Sequence, residues 1–286
     1  MKVRTDAFFL PVDGGRCFCI YRRPANAPVV GTILHAPAFG EEMNKCRPMV
    51  ARASRVFAAS GFGVLQIDLL GCGDSSGSHE EASLARWTDN LTTALEWLDS
   101  ESSARLAWIW AVRGGALFVP SILRATQWTD ASVMLWQPVM KGQMQLTQWL
   151  RQKAATSLIG GRPDRGLATL RERLRAGEVL EIGGYDIGPR LAAELEEAQF
   201  DPRTIGNRRV AWLEVDASAV PMQSPFARKA VDQLLADGVD VEATAVQGPA
   251  FWQSVEIERC DALIDASLFA LTGPSANAIR RDPLTL

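Results

Sequence analysis

Arg113 stands between an apolar run, A-W-I-W-A-V at 107–112, and a Gly-Gly pair that opens a helical pattern. A guanidinium stays charged, only donates hydrogen bonds, and meets carboxylate or phosphate with two parallel bonds. A helix beginning at Gly114 would aim its first N–H groups at the same space and favour an anion there. A second polar set, Glu41, Glu42, Asn44 and Lys45, follows the apolar run and loop T-I-L-H-A-P-A-F-G at 32–40. Brought together, these residues describe a pocket for a ligand with an anionic group, with Glu41 or Glu42 able to face an amine. The same residues allow a second arrangement. Arg113 could pair with Glu41, Glu42 or Asp68 and fill the pocket, because a buried charge needs a partner.

Other reactive groups offer less. The chain has two histidines, His35 and His79. His35, at the end of a strand-like run, reads as a structural residue bonding backbone, with general-base catalysis in an unusual arrangement as the alternative. Cys72 lies between two glycines with no base nearby to make it a thiolate, so it reads as loop filler. Ser75 and Ser76 suit a turn. Trp136, Trp149 and Trp252 suit packing between the sheet and an inserted cap, with ligand stacking as the alternative role and Trp252 the candidate for substrate binding. Cys17 and Cys19 would share one face of a strand. Five cysteines without framework spacing suggest reduced thiols, and with two histidines neither a metal site nor a cofactor is expected.

The elements that must position these groups alternate along the chain. Strand-like runs fall at about 6–12, 16–22, 29–35, 62–67, 105–111, 131–136, 209–215 and 240–247, the first two joined through Asp13-Gly14-Gly15. Helical patterns cover about 46–60, 82–100, 114–126, 224–237 and 253–270, and Leu84, Trp87, Leu91, Leu95 and Leu98 form an apolar stripe. This alternation predicts an α/β protein with a mostly parallel eight-stranded sheet and helices on both faces. Residues 138–205, rich in Arg, Leu and Glu, interrupt the pattern and predict a helical cap inserted over the C-terminal ends of the strands. The core is then 1–137 with 206–271, and 272–286 is a loose C-terminal tail.

A chain of 286 residues, 47% hydrophobic, can bury a large core. Its net charge of −3 gives no basic field, so nucleic acid is not an expected partner. The first apolar run is broken by Pro11, and no stretch approaches the roughly 20 apolar residues that span a bilayer. A cytoplasmic protein without membrane insertion is expected.

Three stretches carry a resemblance. They are H-A-P-A-F-G-E-E-M-N-K from 35, D-L-L-G-C-G-D-S-S-G from 68, and A-V-R-G-G from 111. In order and spacing they resemble the oxyanion loop, the D-x-x-G-x-G-x-S-x-G loop and the nucleophile elbow of the α/β-hydrolase fold. Together with F-F-L-P near the start, W-Q-P-V at 136 and G-P-A-F-W at 248, they resemble the exosortase A system-associated hydrolase 2 family. That family is encoded with bacterial exopolysaccharide machinery, and its elbow also carries arginine in place of serine.

Serine hydrolysis needs a nucleophile, a histidine, an orienting carboxylate and two oxyanion donors. Arg113 holds the nucleophile position, and both histidines lie far upstream of the loop at 247–253 that would carry the base. Asp216 and Glu214 lie near the acid position without matching it. In the oxyanion loop Pro37 has no N–H, and a shift of one residue would hand the role to Ala38. The resemblance therefore implies an atypical hydrolase or acyltransferase acting on an ester, thioester or amide in exopolysaccharide biosynthesis. Arg113, His35 and Glu42 are its catalytic candidates, and Ala38, Glu41, Asn44, Lys45, Gly114 and Trp252 its substrate-binding candidates. The alternative is an inactive relative that binds an anionic metabolite or a partner protein. Expected partners are a small anionic or acyl-bearing substrate and a carrier protein, with a homodimer as a further option.

Overall fold

The computed structural model describes residues 1–125, 131–159, 166–254 and 256–273. Strands β1 (Val3–Val12) and β2 (Gly15–Pro24) form the expected hairpin, paired antiparallel from Val12 opposite Gly15 to Val3 opposite Pro24. The remaining core strands are β3 (Gly31–Ala36), β4 (Phe62–Ile67), β5 (Leu106–Val112), β6 (Ser132–Trp136), β9 (Arg209–Asp216) and β10 (Asp240–Gln247). The eight lie in the order β1-β2-β4-β3-β5-β6-β9-β10, parallel from β4 to β10.

Alternation within each strand builds two cores. On β5, Trp108 and Trp110 join the core beneath α1 (Glu41–Ala59) and α8 (Asp261–Thr272). Ile109 and Ala111 join the opposite core, beneath α2 (Leu84–Glu101), α3 (Val119–Ala125) and α7 (Pro225–Ala236). The period of two sends neighbouring residues to opposite faces, and both faces are covered by helices. The stripe on α2 packs as expected, with Trp87, Leu91, Leu95 and Leu98 all buried.

Several helix boundaries differ from the sequence expectation. The helix expected from 46 starts at Glu41, because Gly40 turns the chain with φ 64° and the two glutamates suit the positive end of a helix. Glu41, Glu42, Asn44 and Lys45 are therefore helical, not loop residues. The helix expected from Gly114 starts as a tight 3₁₀ segment, Arg113–Phe118, before α3. The helix expected from 253 begins at Asp261, since the preceding Glu256, Glu258 and Arg259 supply no apolar stripe.

Between β6 and β9 the chain forms α4 (Gly142–Ile159), α5 (Gly166–Arg175), a hairpin of β7 (Leu180–Ile182) and β8 (Tyr185–Ile187), and α6 (Pro189–Glu197). The hairpin corrects the expectation of helices alone. Gly183 and Gly184, with φ of 59° and 83°, make the two-residue left-handed turn that matches the twist of paired strands. Trp136 is also reassigned. It packs with Trp110 and Phe251 and donates to Ser267 of α8, on the sheet face away from this segment. Of the tail at 272–286, positions from 274 lie outside the described residues. No helix among the described residues is long and apolar enough to cross a membrane.

Candidate functional site

The strand-to-helix turn after β5 holds Arg113 at φ 53°, a left-handed conformation uncommon for any residue but glycine. Two close approaches fix it. A Cβ on Gly115 would sit 2.2 Å from the Ala36 carbonyl oxygen at the end of β3, and one on Gly114 would sit 2.5 Å from the Phe39 ring. The turn thus lifts one side chain above the C-terminal edge of the sheet while its glycines let the backbone press against β3.

The Arg113 guanidinium is buried and closely partnered. Nε donates to Glu42 Oε2 at 3.2 Å and Nη2 to Glu42 Oε1 at 2.9 Å, while Nη1 donates to the Gln137 carbonyl at 2.9 Å. Trp252, in the loop after β10, lies against the cation at 5.2 Å from the ring centre. Gln148 of α4 adds a hydrogen bond to Glu42 at 3.0 Å. Of the two arrangements open to Arg113, the chain adopts the internal pair, with Glu42 as the partner.

Arg113 nevertheless borders open space. With Gln137, Val139, Gln145, Gln148, Arg151 and Glu214, among others, it lines a cavity of about 570 Å³ between the strand ends and α4. Glu214 is held by the Ser224 backbone N–H at 2.7 Å and the Ser224 hydroxyl at 3.1 Å. Among the described residues Arg151 is in no ion pair, so the cation available to a ligand is Arg151 more than Arg113. Gln137 shares the strained geometry of Arg113, with φ 43°, and its side-chain oxygen accepts from Val215 N at 2.9 Å.

The other expected site residues lie elsewhere. Glu41 is bonded by Lys45 and Gln152; burial raises its pKa, but those partners outweigh burial and bring it below the ordinary carboxylate value. Asn44 donates to the Tyr185 hydroxyl at 2.7 Å, and Lys45 donates to the Gln253 carbonyl at 3.3 Å. These three fasten α1 to the β7–β8 hairpin, α4 and the loop after β10, and none of them lines the Arg113 cavity. Gly114 is buried with its Cα face against Phe39 and does not line the Arg113 cavity.

His35 and Ala38 line a separate cavity of about 40 Å³ with Arg47 and Asp68. His35 is not bonded to backbone as expected: among the described residues neither ring nitrogen has a hydrogen-bond partner, and the ring packs on Trp110. Burial depresses its pKa to about 3, and the charge of Arg47 adds to this. His79 donates from Nδ1 to the Asp186 carbonyl at 3.0 Å and packs between Trp87 and Tyr185. Neither imidazole lines the Arg113 cavity.

The loop D-L-L-G-C-G-D-S-S-G is tied by its own groups. Arg47 donates to Asp68 at 3.2 Å, the Ser75 hydroxyl donates to the Asp68 carbonyl at 2.6 Å, and Ser76 Oγ accepts from Arg16 N at 3.1 Å. Burial pushes the Cys72 thiol upward, away from reactivity. Asp216, near the expected acid position, accepts from Ser218 and from Met222 N and staples its own loop.

Comparison with solved structures settles what these elements amount to. Est1E from Butyrivibrio proteoclasticus, solved with ferulic acid bound, is similar at a TM-score of 0.62 and 14% identity, over 93% of this chain and 98% of its own. The chain has the α/β-hydrolase fold. A soluble variant of monoglyceride lipase from Saccharomyces cerevisiae, in complex with a substrate analogue, is similar at 0.60 and 10% identity, over 94% of each chain. The α/β hydrolase GrgF from Penicillium gives 0.57 and 14% identity, over 95% of this chain and 98% of its own. No protein-family model and no curated protein matches the chain.

Within this α/β-hydrolase fold the structure brings Arg113, Glu42 and Trp252 together, and it adds a wall from α4 that the sequence expectation lacks. The missed signal is the spacing of Gln143, Gln145, Gln148 and Gln152 within ten residues of one helix. Gln137 gave no signal, because its left-handed backbone is invisible in its residue type.

Proposed function

We propose that this α/β-hydrolase-fold protein binds an anionic or acyl-bearing ligand in the cavity beside Arg113 and has no serine nucleophile. The observation that carries this reading is the buried Glu42–Arg113–Trp252 group. It fills the elbow with a fixed cation, and Trp252 occupies the loop where a serine hydrolase would bring its histidine. Segment 138–205 acts as the cap, and Arg151 of α4 receives the anionic end of the ligand. The motifs that resemble the exosortase A system-associated hydrolase 2 family support exopolysaccharide biosynthesis as the setting, with a carrier protein as one source of the ligand.

A second reading is favoured by the similar esterase and lipase structures, solved with ferulic acid and with a substrate analogue. In it the protein is a hydrolase or acyltransferase for an ester, thioester or amide. Arg113, positioned by Glu42, then holds the charge that develops on the acyl oxygen, and Glu214 is the carboxylate that lines the cavity.

A fluorophosphonate probe tests the shared premise. The native protein and its Arg113→Ser variant are both expected to stay unlabelled, because a serine without a neighbouring histidine lacks the base it needs. Stoichiometric labelling of the native chain overturns the proposal. Turnover of 4-nitrophenyl esters by unlabelled protein, lost in Glu214→Gln, selects the second reading.

A further inference from the structure

We infer that Gln145 determines the specificity of the Arg113 cavity by pairing with a neutral ligand group that presents a hydrogen-bond donor and an acceptor side by side. The inference rests on the cavity being a ligand site, as proposed above. Gln145 lies on α4, is 1% exposed, and lines the cavity. Among the described residues neither its amide nitrogen nor its amide oxygen has a hydrogen-bond partner. Its neighbours behave differently. Gln148 donates to Glu42, Gln152 to Glu41, and Gln137 accepts from Val215.

A buried polar group left unpaired has given up its water without a replacement hydrogen bond, which is unfavourable. An apolar side chain at this position would avoid that cost in the free protein. A ligand recovers it only by satisfying both ends of the amide, one accepting from Nε2 and one donating to Oε1. A carboxylate or an ester offers acceptors alone and leaves Oε1 unpaired. A carboxamide or a pair of adjacent hydroxyls offers both partners at the right spacing. The cavity wall has matching character. Gln143, Thr147 and Ser224 add neutral polar groups, and Val139, Met144 and Phe226 supply apolar surface for the rest of the ligand.

Four small probes with similar tails separate these cases: hexanamide, 1,2-hexanediol, hexanoate and methyl pentanoate. Their affinities are measured by ligand-observed NMR against the native protein and Gln145→Met. Hexanamide or the diol is expected to bind the native protein about tenfold more tightly than methyl pentanoate, the value of one or two neutral hydrogen bonds. Whichever binds names the source, carboxamide or diol. Gln145→Met is expected to erase that preference, to leave hexanoate within about twofold, and to melt no lower than the native protein. Hexanoate binding without preference for the amide or the diol overturns this inference alone. No binding of any probe to the native protein overturns the ligand-site reading and this inference with it. A preference that survives in Gln145→Met assigns recognition to another residue and also overturns it.

Discussion

Arg113 has the two properties that make a single residue hard to replace: its charge is buried and its backbone is left-handed. Glu42 answers the charge with two parallel bonds, and Trp252 covers the face of the guanidinium. Removing one member of a buried pair leaves the other uncompensated, which costs about 3–5 kcal/mol, whereas replacing both with apolar groups is far milder. Arg113→Met is therefore expected to lose about that much stability in a urea titration, and Arg113→Met/Glu42→Leu to recover most of it. If the double variant is as unstable as the sum of the single ones, the pair is not coupled as described. Glu42 and Arg113 could be named from the sequence as candidate partners because opposite charges near a buried turn must meet. Which of Glu41, Glu42 and Asp68 would be chosen could not. On α1 successive residues point about 100° apart, so a shift of one residue sends Glu41 to Lys45 and Gln152 instead.

At the scale of elements, the elbow is a contact between two strand ends. Ala111 of β5 pairs with Ala36 of β3, and the chain then turns so tightly that Gly115 meets the Ala36 carbonyl. Gly115→Ala would place a methyl group 2.2 Å from that oxygen, so the backbone must shift, at a cost of about 1–3 kcal/mol or more. Gly184→Asn is the matched control. Nothing lies within 4 Å of its Cβ position, and asparagine tolerates the left-handed turn at φ 83°. Denaturant midpoints are expected to fall clearly for the first and little for the second; equal effects would mean that close approach is not what demands glycine at the elbow. The eight strands of the main sheet were legible to within a few residues because the period of two and the apolar runs are local signals, whereas the three-residue strands β7 and β8 are too short to show either. The start of α1 was not, because Gly40 turns there to make room for the Trp149 ring, which comes from a distant helix.

At the scale of the molecule, segment 138–205 is fastened to the core through α1 and the loop before it, through His79, which bonds the Asp186 carbonyl, and through α2, where Ala85 N donates to Glu194. Trp149 packs on Phe39 and Gly40, Gln148 reaches Glu42, Gln152 reaches Glu41, and Asn44 reaches Tyr185. Of these residues Gln148 also lines the Arg113 cavity. Trp149→Ala removes a large buried side chain, a change that typically costs about 3–5 kcal/mol, and the loss falls on the attachment. Hydrogen exchange is expected to rise more in α4–α6 than in β3–β6. A uniform rise across both would show that the segment has no stability of its own to lose.

The sequence by itself determined the alternation of strands and helices, the hairpin at Asp13-Gly14, the cation at the elbow and the lack of a histidine beyond residue 79. Each of these is a matter of residue type or of spacing within a dozen positions, where backbone geometry and chemical identity decide the outcome. Only the tertiary structure decided that Glu42 holds Arg113, that His35 faces a different cavity, and that Gln145 and Arg151 form the opposite wall of the site. Those facts depend on which faces of α1 and α4 meet above the sheet. That meeting is set by packing between residues more than a hundred positions apart, such as Trp149 against Gly40, and no local pattern encodes it.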